Sequence, residues 1–570
     1  MTQKIRNRTW ITGLLSIETL IILALFAIAL GVRLIYLHQF SEFPTFRHLN
    51  IDQEYYNLWG KKILTEGLLG KDVYEMTPLY AWFLAFIYKF ISTDLYVVRI
   101  IQALFGSLTI VYIYRLAVLL FDNRRVGIIA GLTGAFYGMF IMNDAMVMKP
   151  FLSTFFAVMA LYWLVKLVEA RAITFIIPGL LVGLMILVRE NALLLIAGIP
   201  LCFFIQRGIG LTAVKRTLFF SIGIALTILP VTLRNYAVSG EFVPVTAGGG
   251  EIIYMSYYEG SNGYYVPPDF IHTANPLAEH EEFRQEAIKR TGRQMSYMES
   301  SDYWSSEGFK FIKEDPKRIA YLVYRKFLVF WNFYETPDNQ NIYFMSTLSS
   351  MIKYTLGFGI VGPLGILGIL VSLRHWRKLL IVYVFFLVYM ASVLITFYIS
   401  RYRVPTLPIL IIFAALYIDW LYVRLRRKVI RTAALSVAAL VLLFFVVNNR
   451  VDGVEPYKDY FPTEYTKLGK SYMLEGNTEG AKKAYKSIVE MRPDFFAGHM
   501  GLGKIALKEG KLREAITHFG HAVEAAPRDH RGYLSLAIAY NRLGMTAEAQ
   551  AMLNRATSLN RGLWGRPASK

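Results

Sequence analysis

The run Pro78-Leu79-Tyr80-Ala81-Trp82-Phe83-Leu84-Ala85-Phe86-Ile87-Tyr88-Lys89-Phe90-Ile91 decides how this chain is threaded. Its 14 residues make a helix of about 21 Å at 1.5 Å per residue, short of a hydrocarbon core about 30 Å thick. We read it as an interfacial or re-entrant helix. The choice matters because a crossing here would invert the side of every loop that follows.

Working outward, apolar runs at 11–37, 95–121, 126–142, 147–168, 172–188, 191–206, 217–236, 350–373, 379–399, 404–423 and 430–448 predict about 11 spans. The first exceeds a signal-peptide apolar region and lacks a small-x-small exit, so it reads as a span and not a cleaved leader. With 78–91 held out of the count, the basic clusters fall on one side: Lys4, Arg6 and Arg8; Arg124 and Arg125; Arg171; Lys215 and Arg216; Arg374, Arg377 and Lys378; and Arg424, Arg426, Arg427 and Lys428. That side is cytoplasmic by the positive-inside rule. The amino terminus is then inside, the carboxyl terminus outside, and two long segments, 38–94 and 237–349, face outward.

Composition agrees. Of 570 residues, 55% are hydrophobic and 18% charged, too apolar for an ordinary soluble fold. The balance of 61 basic against 41 acidic residues, +20, would suit a nucleic-acid partner were it patched on one surface. Here it flanks apolar runs, so no nucleic-acid partner is expected. The single cysteine, Cys202, rules out an intrachain disulfide and a cysteine-clustered metal site.

After Asn448 the chain turns charged and Ala-rich. Gly476, Gly510 and Gly544 are spaced by 34, as are Ala481, Ala515 and Ala549, and Pro493 and Pro527. Gly469 and Gly503 repeat too, with Ala537 in the third unit. A 34-residue period with small residues at helix crossings is the tetratricopeptide pattern. The predicted organisation is a transmembrane domain over 1–450, a linker over 451–463, a helical solenoid over 464–562 and a tail over 563–570. The fold class is all-α. The repeats read either as a groove for a periplasmic or extracellular protein or as a cap on the membrane domain.

Four features fall on the outer face. Asp52-Gln53-Glu54-Tyr55-Tyr56 follows the first span; carboxylates at i and i+2 lie on different faces of a helix, so spacing alone makes no dyad. Asn143-Asp144 and Met148-Lys149-Pro150 flank a tight loop, where Asp144 and Lys149 would pair with each other, with headgroups or with substrate. Arg189-Glu190 interrupts the fifth and sixth spans, where an arginine often snorkels. Ser400-Arg401-Tyr402-Arg403-Val404-Pro405 places two arginines against the positive-inside trend, which calls for an anionic partner.

In order and membrane placement these features resemble the GT-C glycosyltransferases, specifically the bacterial aminoarabinose transferases and protein O-mannosyltransferases. The likeness covers about residues 10–425. It rests on Asp52, Thr77-Pro78-Leu79-Tyr80-Ala81-Trp82, Tyr88-Lys89, Arg99 with Gln102-Ala103-Leu104-Phe105-Gly106, Phe121-Asp122-Asn123-Arg124-Arg125, Gly179-Leu180-Leu181-Val182-Gly183 leading to Arg189, Arg234-Asn235-Tyr236, Gly248-Gly249 and Arg401-Tyr402-Arg403-Val404-Pro405. Relatives carry adjacent Asp-Glu in the first loop and Pro-Pro-Leu before the short helix; here Gln53 separates Asp52 from Glu54 and Thr77 replaces the first Pro.

The resemblance implies juxtamembrane helices in the first outer loop, a polyprenyl-phosphate sugar donor and inverting transfer to a hydroxyl of a glycan, lipid or protein on the outer face of a bacterial cytoplasmic membrane. It gives Asp52 the base role, with Glu54 and Asp144 as further catalytic candidates. Lys149, Arg189, Arg401 and Arg403 are the candidates for the donor phosphate, and Tyr55, Tyr80, Trp82 and Tyr258 for substrate contact. Tyr258 belongs to an outer aromatic group with Tyr254, Tyr264, Trp304 and Trp331 that would form a lid. No cofactor is fixed; Mg²⁺ or Mn²⁺ would suit the carboxylates. A lipid-linked oligosaccharide ligase and a non-enzymatic scaffold working through the repeats are the alternatives.

Overall fold

The computed structural model describes residues 16–272, 276–451 and 457–563. Lys4, Arg6, Arg8 and the start of the first run lie outside them, as do 452–456 of the linker and 564–570 of the tail. All regular elements among the described residues are helices. The chain divides into two compact units, one of residues 1–38, 51–342 and 349–454, the other of 39–50, 343–348 and 455–570.

In the first unit α1 (Ile17–Ser41) is followed by two short helices, α2 (Asp52–Glu66) and α3 (Leu79–Phe90), and then by α4 (Leu95–Phe121). The chain continues through α5 (Arg124–Ala135), α6 (Gly138–Ala145), α7 (Pro150–Lys166), α8 (Ile176–Val188), α9 (Leu195–Arg207) and α10 (Leu211–Ser239). Seven helical segments among the described residues are long and apolar enough to cross a membrane, and α3, α7 and Ala172–Val188 are shorter apolar helices. The protein is an integral membrane protein. The run 126–142 is two helices, not one: the backbone breaks between α5 and α6, where Leu356 N–H donates to Phe136 O and Gly138 N–H to Leu356 O, both at 2.9 Å. The irregular backbone is thus satisfied by protein partners, as it must be wherever lipid offers none. Helices α8 and α10 cross where Gly179 meets Gly223; a Cβ on either would overlap a carbonyl of the opposite helix. Small residues permit the close approach.

The long segment after α10 folds as α11 (Gly249–Tyr257), α12 (Pro276–Thr291), α13 (Tyr297–Glu314) and α14 (Pro316–Phe330). Its core is Trp304, fully buried against Tyr254 at 4.5 Å between ring centroids and donating from its indole N–H to Phe283 O at 3.0 Å. Beside this core His280 Nδ1 bonds the Glu251 carboxylate, and Tyr265 donates to Glu279 at 3.0 Å. Burial pulls the His280 imidazolium down, but Glu251, with Glu75 and Glu279, outweighs it and raises the group to about 9. Burial itself raises Glu75 and Glu279 to about 7, against the opposing pull of His280. The signs follow from linkage. The histidine contributes stability that is complete below its ordinary value of 6.5 and is lost as pH rises through about 9. The two carboxyls cost stability as pH rises from 4.5 to about 7. His280→Gln should therefore cost about 3 kcal/mol at pH 7, the order found for stripping a buried charge of its partner. It should cost little at pH 10. Thermal unfolding followed by tryptophan fluorescence at both pH values checks this; an equal loss at both would remove the ion pair as its source.

In the second unit three helix pairs stack: Phe461–Leu474 with Thr478–Met491, Phe496–Lys508 with Leu512–Ala525, and His530–Arg542 with Thr546–Leu563. Gly476, Gly510 and Gly544 turn each pair with φ of 74°, 78° and 83°, a left-handed conformation that excludes most side chains. Ala481, Ala515 and Ala549 are buried at the helix crossings. This is the tetratricopeptide solenoid expected from the 34-residue period. The same unit takes in 39–50 and 343–348: Arg47 bonds Glu475 at 2.6 Å, and the Phe344 ring meets Tyr465 edge-on at 4.9 Å.

Candidate active site

Asp52 is the first residue of α2, and the residue before it, Ile51, holds φ 52°, a costly conformation for a β-branched side chain. The strain turns the chain sharply into the helix and sets Asp52 into the protein interior, 7% exposed. Asn339 grips it twice: its Oδ1 accepts from Asp52 N–H at 3.1 Å and its Nδ2 donates to Asp52 Oδ2 at 3.2 Å. Arg401 donates to the same Oδ2 at 2.6 Å and meets Asp338 Oδ2 at 3.0 Å. Every bond of the carboxylate thus converges on Oδ2. Among the described residues none is made to Oδ1.

The basic residues assemble beside this carboxylate. Lys149 heads α7, donates to Thr77 Oγ1 at 2.9 Å and stands 5.8 Å from the Tyr56 ring centre. Thr77 in turn donates to Val188 O at 2.8 Å, next to Arg189. The Thr77 hydroxyl is therefore a link between the lysine and the end of α8. Arg189 lies 3% exposed with its guanidinium 4.5 Å from the Tyr402 ring centre, and among the described residues its Nε and Nη2 have no hydrogen-bond partner. Lys149 interacts electrostatically with Arg189, Arg401, Glu190 and Asp52, so the three cations form one cluster. A buried guanidinium left without a bond is costly unless an anion completes it.

The motif residues Arg99 and Gln102 hold the loop that carries Lys149. Arg99 donates to Ala145 O at 2.7 Å; Gln102 Nε2 donates to Asp144 O and Met146 O at 2.9 and 2.7 Å, and Tyr80 donates to Gln102 Oε1 at 2.7 Å. Gln53 accepts from Val147 N–H at 3.2 Å, which ties α2 to the same turn.

Other candidates are placed differently. Asp144 pairs with Arg33 of α1 at 2.6 Å, both deeply buried, in a space that Gly106 leaves open. Arg403 is fully buried and bonded to Glu335 at 2.8 Å and to the Phe330 and Asn332 carbonyls. Glu54 is exposed on another face of α2. Tyr55 is buried against Trp59, Trp82 is half-buried near Tyr74, and Tyr258 stacks on Tyr254 beside Trp304. Sequence reasoning missed Asp338, Asn339, Glu335 and Arg33. The polar run Pro337-Asp338-Asn339-Gln340-Asn341, at the end of an aromatic segment, was the available signal. Asp52 and Asp338 share Arg401, and among the described residues no three His, Cys, Asp or Glu side chains are arranged to hold a metal ion.

Residues 75–233 match the family described as dolichyl-phosphate-mannose-protein mannosyltransferase, and residues 466–519 and 506–563 match tetratricopeptide repeats. The membrane domain thus contains a segment similar to that mannosyltransferase family, and a tetratricopeptide-repeat array follows it. The matched segment contains Thr77, Lys149 and Arg189, while Asp52 and Arg401 lie outside it. No curated protein matches the chain. Similar solved structures include ArnT from Cupriavidus metallidurans bound to undecaprenyl phosphate, at 14% identity over 96% of this chain and 78% of that one, with a TM-score of 0.42. They also include the Archaeoglobus fulgidus oligosaccharyltransferase tethered with an acceptor peptide, at 14% identity over 82% of this chain and 58% of that one, with a TM-score of 0.38.

Proposed function

We propose that the GT-C domain transfers a sugar from a polyprenyl phosphate to an acceptor hydroxyl with inversion. The observation that carries this reading is the pairing of a buried, unbonded Arg189 with a carboxylate whose Oδ1 is free. The acceptor O–H gives its proton to Asp52 Oδ1 as its oxygen bonds the anomeric carbon. The bond from that carbon to the phosphate oxygen breaks, and its electron pair leaves with the polyprenyl phosphate. Arg189, Lys149 and Arg401 take up the charge that develops on the leaving phosphate, which makes their bonds strongest at the transition state. Asn339 and Arg401 fix the base by its other oxygen, so no reorganisation is needed at the moment of attack. The family match, whose description names a dolichyl-phosphate-linked sugar, supports a lipid-phosphate donor. Purified protein, a radiolabelled polyprenyl-phosphate sugar and an envelope extract test the reading. Label should move from the lipid to the acceptor fraction, and label retained on the lipid with every acceptor tried would reject it.

The same reading puts the site and the repeats on the periplasmic or extracellular side of a bacterial cytoplasmic membrane. The distribution of basic loops supports it. Alkaline phosphatase fused after Lys570 should be active, and a fluorescent protein in its place dark. The opposite pair of results would place the tail in the cytoplasm.

A further inference from the structure

A second concavity, about 620 Å³, lies along α2 and is lined on its other side by residues of the 67–75 loop. Its size is that of a small-molecule site. Glu54, Leu58 and Lys62, four residues apart, line it, whereas Asp52 is turned to the cation cluster. Ile51 and Tyr55 also line it, so the cavity opens at the turn of helix that bears the base.

Its walls combine two kinds of surface. One is aromatic: the half-buried Trp59 stands between Tyr55 and Tyr74, each 5.5 Å away between ring centroids, and Arg234 at 3.8 Å caps the Tyr74 ring. The other is charged in near balance, four acidic lining residues against three basic, Lys62 among them. A cavity for an anion or a cation would carry a marked excess of one sign. Flat aromatic surface beside donors and acceptors of both signs suits an uncharged polyol, whose C–H faces pack on rings while its hydroxyls donate to carboxylates and accept from ammonium groups.

We propose that this cavity receives a saccharide as the acceptor, delivering one of its hydroxyls past Ile51 to Asp52. The proposal rests on the glycosyl-transfer reading and names its acceptor class. The saccharide would come from a free glycan or from a glycolipid headgroup; the chemistry is the same.

The test uses full-length protein immobilised in detergent, with two probes from the producing cells: fluorescently end-labelled water-soluble envelope glycans, and the radiolabelled glycolipid extract. Leu58→Trp and Lys62→Trp fill the cavity from positions 56% exposed, so neither should disturb the fold. Wild type should retain label in at least one arm, the first marking a free glycan and the second a glycolipid. Both variants should lose at least tenfold of it while binding undecaprenyl phosphate as wild type does. Retention by neither arm, or equal retention by the variants, overturns the proposal. So does capture of a mixed synthetic peptide pool that the variants abolish, which would mark a peptide acceptor. If wild type fails to bind undecaprenyl phosphate, the donor reading falls first and the acceptor role falls with it, whatever the saccharide arms read.

Discussion

Asp52→Asn is expected to lower turnover by about 10²- to 10⁴-fold, the range for loss of a general base, with donor affinity close to wild type. The amide keeps the size of the carboxylate and one acceptor oxygen for Arg401 and Asn339, so the α2 turn stays anchored. Arg401 keeps Asp338 at 3.0 Å, so its charge is not left alone in the interior. What the variant loses is an anionic oxygen at the Oδ1 position. The reading is therefore a fall in kcat with KM for the donor little changed, measured in membranes with matched protein levels. Wild-type turnover would remove Asp52 as the base. The bet would then move to Glu54, since Asp144 already spends its carboxylate on Arg33.

The elements that the sequence announced are those set by local pattern. The 14-residue run at 78–91 is a helix of 12 residues, as its length required, and the tail is a solenoid because glycines recurring every 34 residues turn its helix pairs. The break within 126–142 was hidden because its backbone partner, Leu356, lies in a distant run. The site was legible as a set of residue types and illegible as pairings. Arg403 and Glu335 are 68 residues apart, Arg33 and Asp144 are 111 apart, and Asp52 and Arg401 are 349 apart. Hydropathy gives each charged residue a side of the membrane and nothing about its partner. That is why Arg401 and Arg403, two residues apart with the same apparent need for an anion, have different fates: one faces the base, the other is consumed by a buried glutamate.

Arg189→Ala should fail differently from Asp52→Asn. A charged hydrogen bond to phosphate contributes about 1.5–3 kcal/mol, so donor affinity should fall about 10- to 150-fold. Because the same guanidinium meets more charge on the leaving phosphate than on the bound donor, kcat should fall too, carrying kcat/KM down by about 10²- to 10³-fold or more. Arg189→Lys should recover part of the affinity, since a point charge attracts phosphate without the fork. The protein itself should survive, because among the described residues Arg189 Nε and Nη2 bond nothing that the substitution would strand. Arg403→Ala is the contrast: it leaves Glu335 buried without its cation, at a cost of about 3–5 kcal/mol, and should appear as lost folded protein before any change in donor affinity. Binding of undecaprenyl phosphate to size-exclusion-purified variants separates the two cases. If Arg189→Ala binds the lipid as wild type does while remaining folded, the unbonded guanidinium is not the donor's anchor, and the phosphate must sit on Lys149 and Arg401 alone.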